Sequence, residues 1–145
     1  MSDAVPSSLA EVRDEFLEVP EAERLQLLLE FANELPEMPA RYADHPERTE
    51  RVAECQSPVF IVLEIGEDGL VAMQASAPPE APTTRGFASI LTKAITGLTP
   101  DEVLAIPGDY PQTIGLTRAV SPLRIAGMTG MLMRAKRQIA ALTAS

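Results

Sequence analysis

The feature that most constrains this chain is a change of apolar period near its middle. Val59, Ile61, Leu63 and Ile65 alternate with Phe60, Val62 and Glu64, which is the period-2 pattern of a strand. Gly66-Glu67-Asp68-Gly69 follows with turn chemistry, and Leu70 to Ser76 reads as the returning strand. A short strand is expected through Arg51 and Val52. On both sides of this segment the apolar residues return at helical spacing. The expected architecture is therefore α+β, a small antiparallel sheet of about three strands covered by helices.

The helices are expected as follows. Ser8-x-x-Glu11 matches a capping box, and Leu9, Val12 and Phe16 share one face after it. A second helix follows Pro20, with Leu25, Leu28, Leu29, Ala32 and Leu35 as its apolar stripe and Pro36 as its stop. Residues 36–49, Pro-rich and charged, read as an ordered loop, and residues 77–84 as a second loop. A helix then carries Phe87, Ile90, Leu91, Ala94 and Ile95 inward. Thr99-Pro100-Asp101-Glu102 opens a short helix with an N-cap, a Pro at the first position and an acid at the third, and Pro107-Gly108 ends it. Ser121-Pro122 opens the last helix, where Met128, Met131, Leu132, Ala135, Ile139 and Leu142 keep helical spacing. Its late bases are placed to face the negative end of the helix dipole.

With 145 residues and no internal repeat, residues 1–145 read as one domain with a flexible N-terminus at about 1–6. Aromatic residues are 4% of the chain and Trp is absent, so aliphatic side chains and Met must build the core. Residues 1–50 hold thirteen acids and four bases, whereas the rest of the chain holds eight of each. This polarity reads either as solvated faces or as a docking surface for a protein partner. A net charge of -9 without a dense Lys/Arg stripe argues against nucleic acid. No apolar run reaches the ~20 residues that span a bilayer, and the N-terminus shows no secretory pattern. With a single cysteine as well, the expected location is the cytoplasm.

The residue inventory excludes several chemistries. One Cys and one His cannot supply the four ligands of a structural zinc site, nor the thiolates of an iron–sulfur cluster. No glycine-rich phosphate loop is present. His45, the only imidazole, sits in a polar loop between Asp44 and Pro46 and reads as a surface residue. Cys55 stands apart, because it falls on a polar loop between two expected strands rather than within an apolar run. It reads as a reactive thiol or as a small buried hydrophobe. Neighbouring arginines would favour the thiolate and Glu54 would disfavour it. Arg124, near the start of the last helix, reads either as a solvated surface residue or as a cation beside the sulfur.

The stretch Arg51-Val52-Ala53-Glu54-Cys55-Gln56-Ser57-Pro58-Val59-Phe60 resembles the cysteine-bearing segment of the SufE family, the partners of SufS-type cysteine desulfurases. Leu35-Pro36 before it, Arg85-Gly86, and Leu116-Thr117 with Ser121-Pro122-Leu123-Arg124-Ile125-Ala126-Gly127-Met128 match further family features in order. The resemblance spans roughly residues 20–143. Two departures are Glu54, where many members carry Gly, and Phe60, where Trp is frequent.

The resemblance implies a fold shared with IscU-type scaffold proteins and a resting cysteine tucked against apolar surface. It implies that Cys55 accepts persulfide sulfur from a pyridoxal-phosphate-dependent desulfurase and passes it to an iron–sulfur cluster scaffold, with no bound cofactor and no metal of its own. Gln56 and Ser57 would shape the loop, and Arg124 would support the site. Two other classes stay open on the residues alone. One is a cysteine-dependent hydrolase or thiol peroxidase using Cys55 with His45 or an arginine. The other is a non-catalytic interaction domain whose cysteine is simply buried.

Overall fold

The computed structural model describes residues 5–144. Most of the N-terminal stretch expected to be flexible, residues 1–4, lies outside the described residues. Pro6 is buried, and its carbonyl accepts from the amides of Leu9 and Ala10. In chain order the elements are α1 (Ser7–Glu18), a 3-10 turn (Glu21–Glu23), α2 (Arg24–Ala32), α3 (Ala40–Ala43) and a second 3-10 turn (Pro46–Arg48). The strands β1 (Glu50–Arg51), β2 (Phe60–Ile65) and β3 (Val71–Ser76) follow. The chain ends with α4 (Pro82–Ile95), α5 (Pro100–Leu104), α6 (Tyr110–Thr113) and α7 (Pro122–Thr143).

The sheet is antiparallel with order β1-β2-β3, as the alternating pattern requires. Its register pairs Ile61 with Ala75, Leu63 with Met73 and Ile65 with Val71. Apart from the half-buried Ile65, these residues are buried, and they point to one face. That face is covered by α4, packed on β3, and by α7, packed on β2; the two helices also touch each other. The β2–β3 turn closes through the Gly66 amide to the Leu70 carbonyl at 2.9 Å, with Gly69 at φ +80°, a conformation open to Gly at little cost. Behind α4 lie α2 and α1, while α5 and α6 pack on α7.

Two local signals hold to the atom. The Thr99 hydroxyl accepts from the Glu102 amide at 3.2 Å, and the Glu102 carboxylate accepts from the Thr99 amide at 2.9 Å, a complete capping box. Ser121 caps α7 through its hydroxyl and the Arg124 amide. Five of the six apolar residues expected along α7 are fully buried, and Leu142 is 53% exposed because the helix end runs past the core.

Other expectations are corrected. Ser8 is no cap: α1 starts at Ser7, and the Ser8 hydroxyl donates to the Ala94 carbonyl of α4 at 2.6 Å. The second helix ends at Ala32, not before Pro36, and Leu25 faces solvent while Phe31 takes the inward position. Residues 36–49 contain α3 and a 3-10 turn, and α4 begins at Pro82 inside the stretch read as loop. The segment after Pro107-Gly108 forms α6, whose Tyr110 hydroxyl donates to the Leu9 carbonyl at 2.7 Å. The bases of α7 do not reach its last turn. Arg134 and Arg137 instead face acids of the strand region, and Lys136 donates to the Ile106 carbonyl.

Candidate functional site around Cys55

The segment between β1 and β2 leaves the sheet and returns after eight residues. Its mouth is closed by the Val52 amide donating to the Val59 carbonyl at 2.9 Å. Both valines are fully buried and anchor the loop in the core. Within the loop the Cys55 amide donates to the Val52 carbonyl at 3.1 Å, so the chain turns just before the cysteine and aims it inward. Cys55 is 7% exposed and packs with the core.

The inward aim depends on α7. Gly127, Gly130 and Arg134 recur at helical spacing and form one stripe, and the loop lies on it. A Cβ at Gly127 would sit 3.0 Å from the Cys55 Sγ. A Cβ at Gly130 would sit 2.6 Å from a Glu54 carboxylate oxygen and 2.8 Å from the Glu54 Cβ. The two glycines therefore make room for consecutive loop residues. Beyond them, the Arg134 guanidinium grips the Glu54 carboxylate with two bonds, Nε to Oε1 at 2.9 Å and Nη2 to Oε2 at 3.3 Å. The same guanidinium donates to Glu50 of β1 at 2.6 Å. Glu50 also receives Arg137 and the Gln138 amide.

A cavity of about 270 Å³ opens beside the sulfur. One wall is the loop itself, Glu54 to Ser57. The second is the start of α4, Pro82 to Thr84 with Glu80 and Ala81 before it, and the third is the start of α7, Leu123, Arg124 and Gly127. The first turns of two long helices thus converge on the space in front of Cys55, and helix N-termini favour negative charge. The Arg124 side chain is exposed and has no hydrogen-bond or ion-pair partner among the described residues. Two carboxylates, Glu54 and Glu80, line the same space; the Arg134 pairing holds the Glu54 carboxyl below the usual range.

The competition between arginines and Glu54 for the thiol resolves in an order the sequence does not reveal. Burial is the largest influence and raises the Cys55 pKa from 9.0 to about 11. Glu54 adds to the rise, while Arg134 and Arg51 oppose it. The resting thiol is protonated at neutral pH.

The structure thus brings Cys55, Gln56, Ser57 and Arg124 to one cavity. Gln56 is exposed and Ser57 half-buried, and neither side chain makes a hydrogen bond among the described residues. The turn is shaped by backbone bonds and by Glu54. His45 is elsewhere, exposed and bonded to Glu47 at 3.1 Å. No group of three or more metal-ligating side chains forms among the described residues, and no helix there is long and apolar enough to cross a membrane. Sequence reasoning missed Arg134 and Gly130. Their signal was the Gly127, Gly130, Arg134 spacing, which shows its meaning only once the loop is seated on it.

Comparison with known proteins finds matches over most of the chain. Residues 10–139 match the SufE family, described as an Fe–S metabolism associated domain. The chain is 46% identical over 136 residues to an uncharacterized SufE-like protein of Mycobacterium tuberculosis, covering 94% of each. It is 26% identical over 129 residues to SufE-like protein 1, chloroplastic/mitochondrial, of Arabidopsis thaliana, covering 88% of this chain and 33% of that one. A solution structure of a hypothetical protein from Thermus thermophilus superposes with a TM-score of 0.83 at 34% identity, over 97% of this chain and 99% of that one.

Proposed function

This chain belongs to the SufE family, an Fe–S metabolism associated domain, and on that footing we propose that Cys55 accepts persulfide sulfur from a cysteine desulfurase and delivers it to iron–sulfur cluster assembly. The protein is a sulfur-transfer partner rather than an enzyme with its own turnover. Its donor is a pyridoxal-phosphate-dependent, SufS-like desulfurase that holds sulfur from L-cysteine on its own cysteine. Its recipient is a cluster scaffold.

The transfer is an exchange of the thiol–disulfide kind. Cys55 loses its proton, and its thiolate attacks the outer sulfur of the donor persulfide. A new S–S bond forms on Cys55 as the donor S–S bond breaks. The electron pair leaves on the donor cysteine, which takes up the proton Cys55 released. One bond replaces another, so no oxidant or reductant is consumed.

The observation that carries this reading is the seat of Cys55, at a cavity edged by two helix N-termini and Arg124. A persulfide there is anionic, and these groups stabilise that charge. Its neighbour space is large enough for an added sulfur atom. The single thiol also gives the bound sulfur no second cysteine in the chain to resolve against. A persulfide carrier of this kind works in a reducing compartment, and we place it in the cytoplasm. The alternative of a His-assisted cysteine enzyme gains no support, since His45 is not among the residues lining the cavity.

The test is stimulation. Adding the protein to its desulfurase with L-cysteine is expected to raise alanine release, and Cys55→Ser is expected to abolish the increase. Equal stimulation by Cys55→Ser would refute the proposal.

A further inference from the structure

We propose that Arg134 is a positioning residue that latches the Cys55 loop onto α7, so that breaking its grip on Glu54 is what frees the buried thiol for exchange. The role in sulfur delivery rests on the reading of Cys55 as the acceptor, whereas the latch itself does not. Three observations carry it. First, the loop backbone itself holds it weakly: among the described residues, 53–58 make one backbone–backbone hydrogen bond, Cys55 amide to Val52 carbonyl. Second, the Arg134–Glu54 contact is bidentate and charge-assisted, the strongest geometry available to such a pair. Third, Gly130 lets the Glu54 side chain lie against the helix backbone itself. Because Glu54 is adjacent to Cys55, Glu54 cannot leave α7 without carrying the cysteine away from Gly127.

The arrangement has a defined breaking point. Glu50 is held by Arg137 and Gln138 as well as by Arg134, so the strand end of the network survives loss of Arg134. Glu54 has Arg134 as its only ion-pair partner among the described residues. With the Glu54 side chain 43% exposed, a donor protein that offers Glu54 another cation, or Arg134 another carboxylate, would open the loop from outside. The latch thereby couples partner docking to thiol exposure.

The two effects of Arg134 on the thiol oppose each other, and this makes the test decisive. As a nearby cation Arg134 favours the thiolate, so removing it without moving the loop would slow alkylation of Cys55. As a latch it keeps the thiol buried, so removing it would speed alkylation. At about pH 8, below the thiol's titration, Arg134→Met is expected to be alkylated by iodoacetamide roughly three- to tenfold faster than the parent, the factor that matches loss of one partly exposed bidentate pair. Arg134→Lys, which keeps the charge but not the fork, should fall between the two. Unchanged or slower labelling of Arg134→Met overturns the latch. A second variant guards against a folding defect. In Glu54→Gln, exchange of the Cys55 amide, the hydrogen-bonded one in the loop, should accelerate while exchange in α4 stays at the parent rate; unchanged exchange at Cys55 also overturns it. Neither readout uses a desulfurase, so persulfide loading of the same variants separates failure of the latch from failure of the sulfur-acceptor reading.

Discussion

At neutral pH the Cys55 sulfur keeps its proton, because burial and then Glu54 outweigh Arg134 and Arg51. The folded pKa of about 11 lies above the ordinary 9.0, so the fold binds this proton more tightly than the unfolded chain does. The associated stability is fully present below pH 9.0, and it is lost as pH rises through about 11. The rate of iodoacetamide labelling should therefore titrate with a midpoint near 11 in the native protein and near 9.0 in denaturant. A native midpoint at or below 9.0 would contradict the burial argument. A protonated resting thiol suits a carrier, since it reacts slowly with stray disulfides and awaits a specific donor.

Among the elements, α4 shows how a single missing methyl sets a packing distance. Gly86 faces α2, where a Cβ would lie 2.6 Å from the Leu28 backbone carbonyl and 2.7 Å from a Leu28 methyl. Arg85 beside it donates to the Ala32 and Ala77 carbonyls at 3.0 and 2.7 Å, tying the end of α2 and the exit of β3 to α4. Gly86→Ala gains about 1 kcal/mol of helix propensity, yet it must push α2 off α4, which costs about 1–3 kcal/mol. Chemical denaturation should show net destabilisation; equal or greater stability would mean the two helices are free to separate. The elements best legible in the sequence were those with self-contained signals: the alternating hairpin, the Thr99 box and the Ser121 cap. Those misread depended on partners distant in sequence. Ser8 has capping chemistry, but its hydroxyl meets Ala94, and Phe31 replaces Leu25 inside, where its ring stacks on Phe16 of α1 at 5.7 Å. Cys55 and Arg124 were legible from the motif. The Glu54–Arg134 pair spans 80 residues and was not.

For the whole molecule, α7 is the element that joins scaffold to site. It packs on β2, α4, α5 and α6, and its Gly127, Gly130 and Arg134 stripe seats the cysteine loop. At the sheet edge, Glu50 and Glu54 meet Arg134 and Arg137 of α7. Charge polarity visible in composition is thus partly spent inside the fold, at the loop that holds the thiol. The proposed sulfur acceptance places one covalent event at Cys55. Incubation with a cysteine desulfurase and L-cysteine, followed by intact mass and peptide mapping, measures it directly. The predicted result is a gain of one sulfur atom, located on Cys55 and absent from Cys55→Ser. No mass gain, with the desulfurase active and Cys55 still free to be alkylated, would contradict the sulfur-acceptor role.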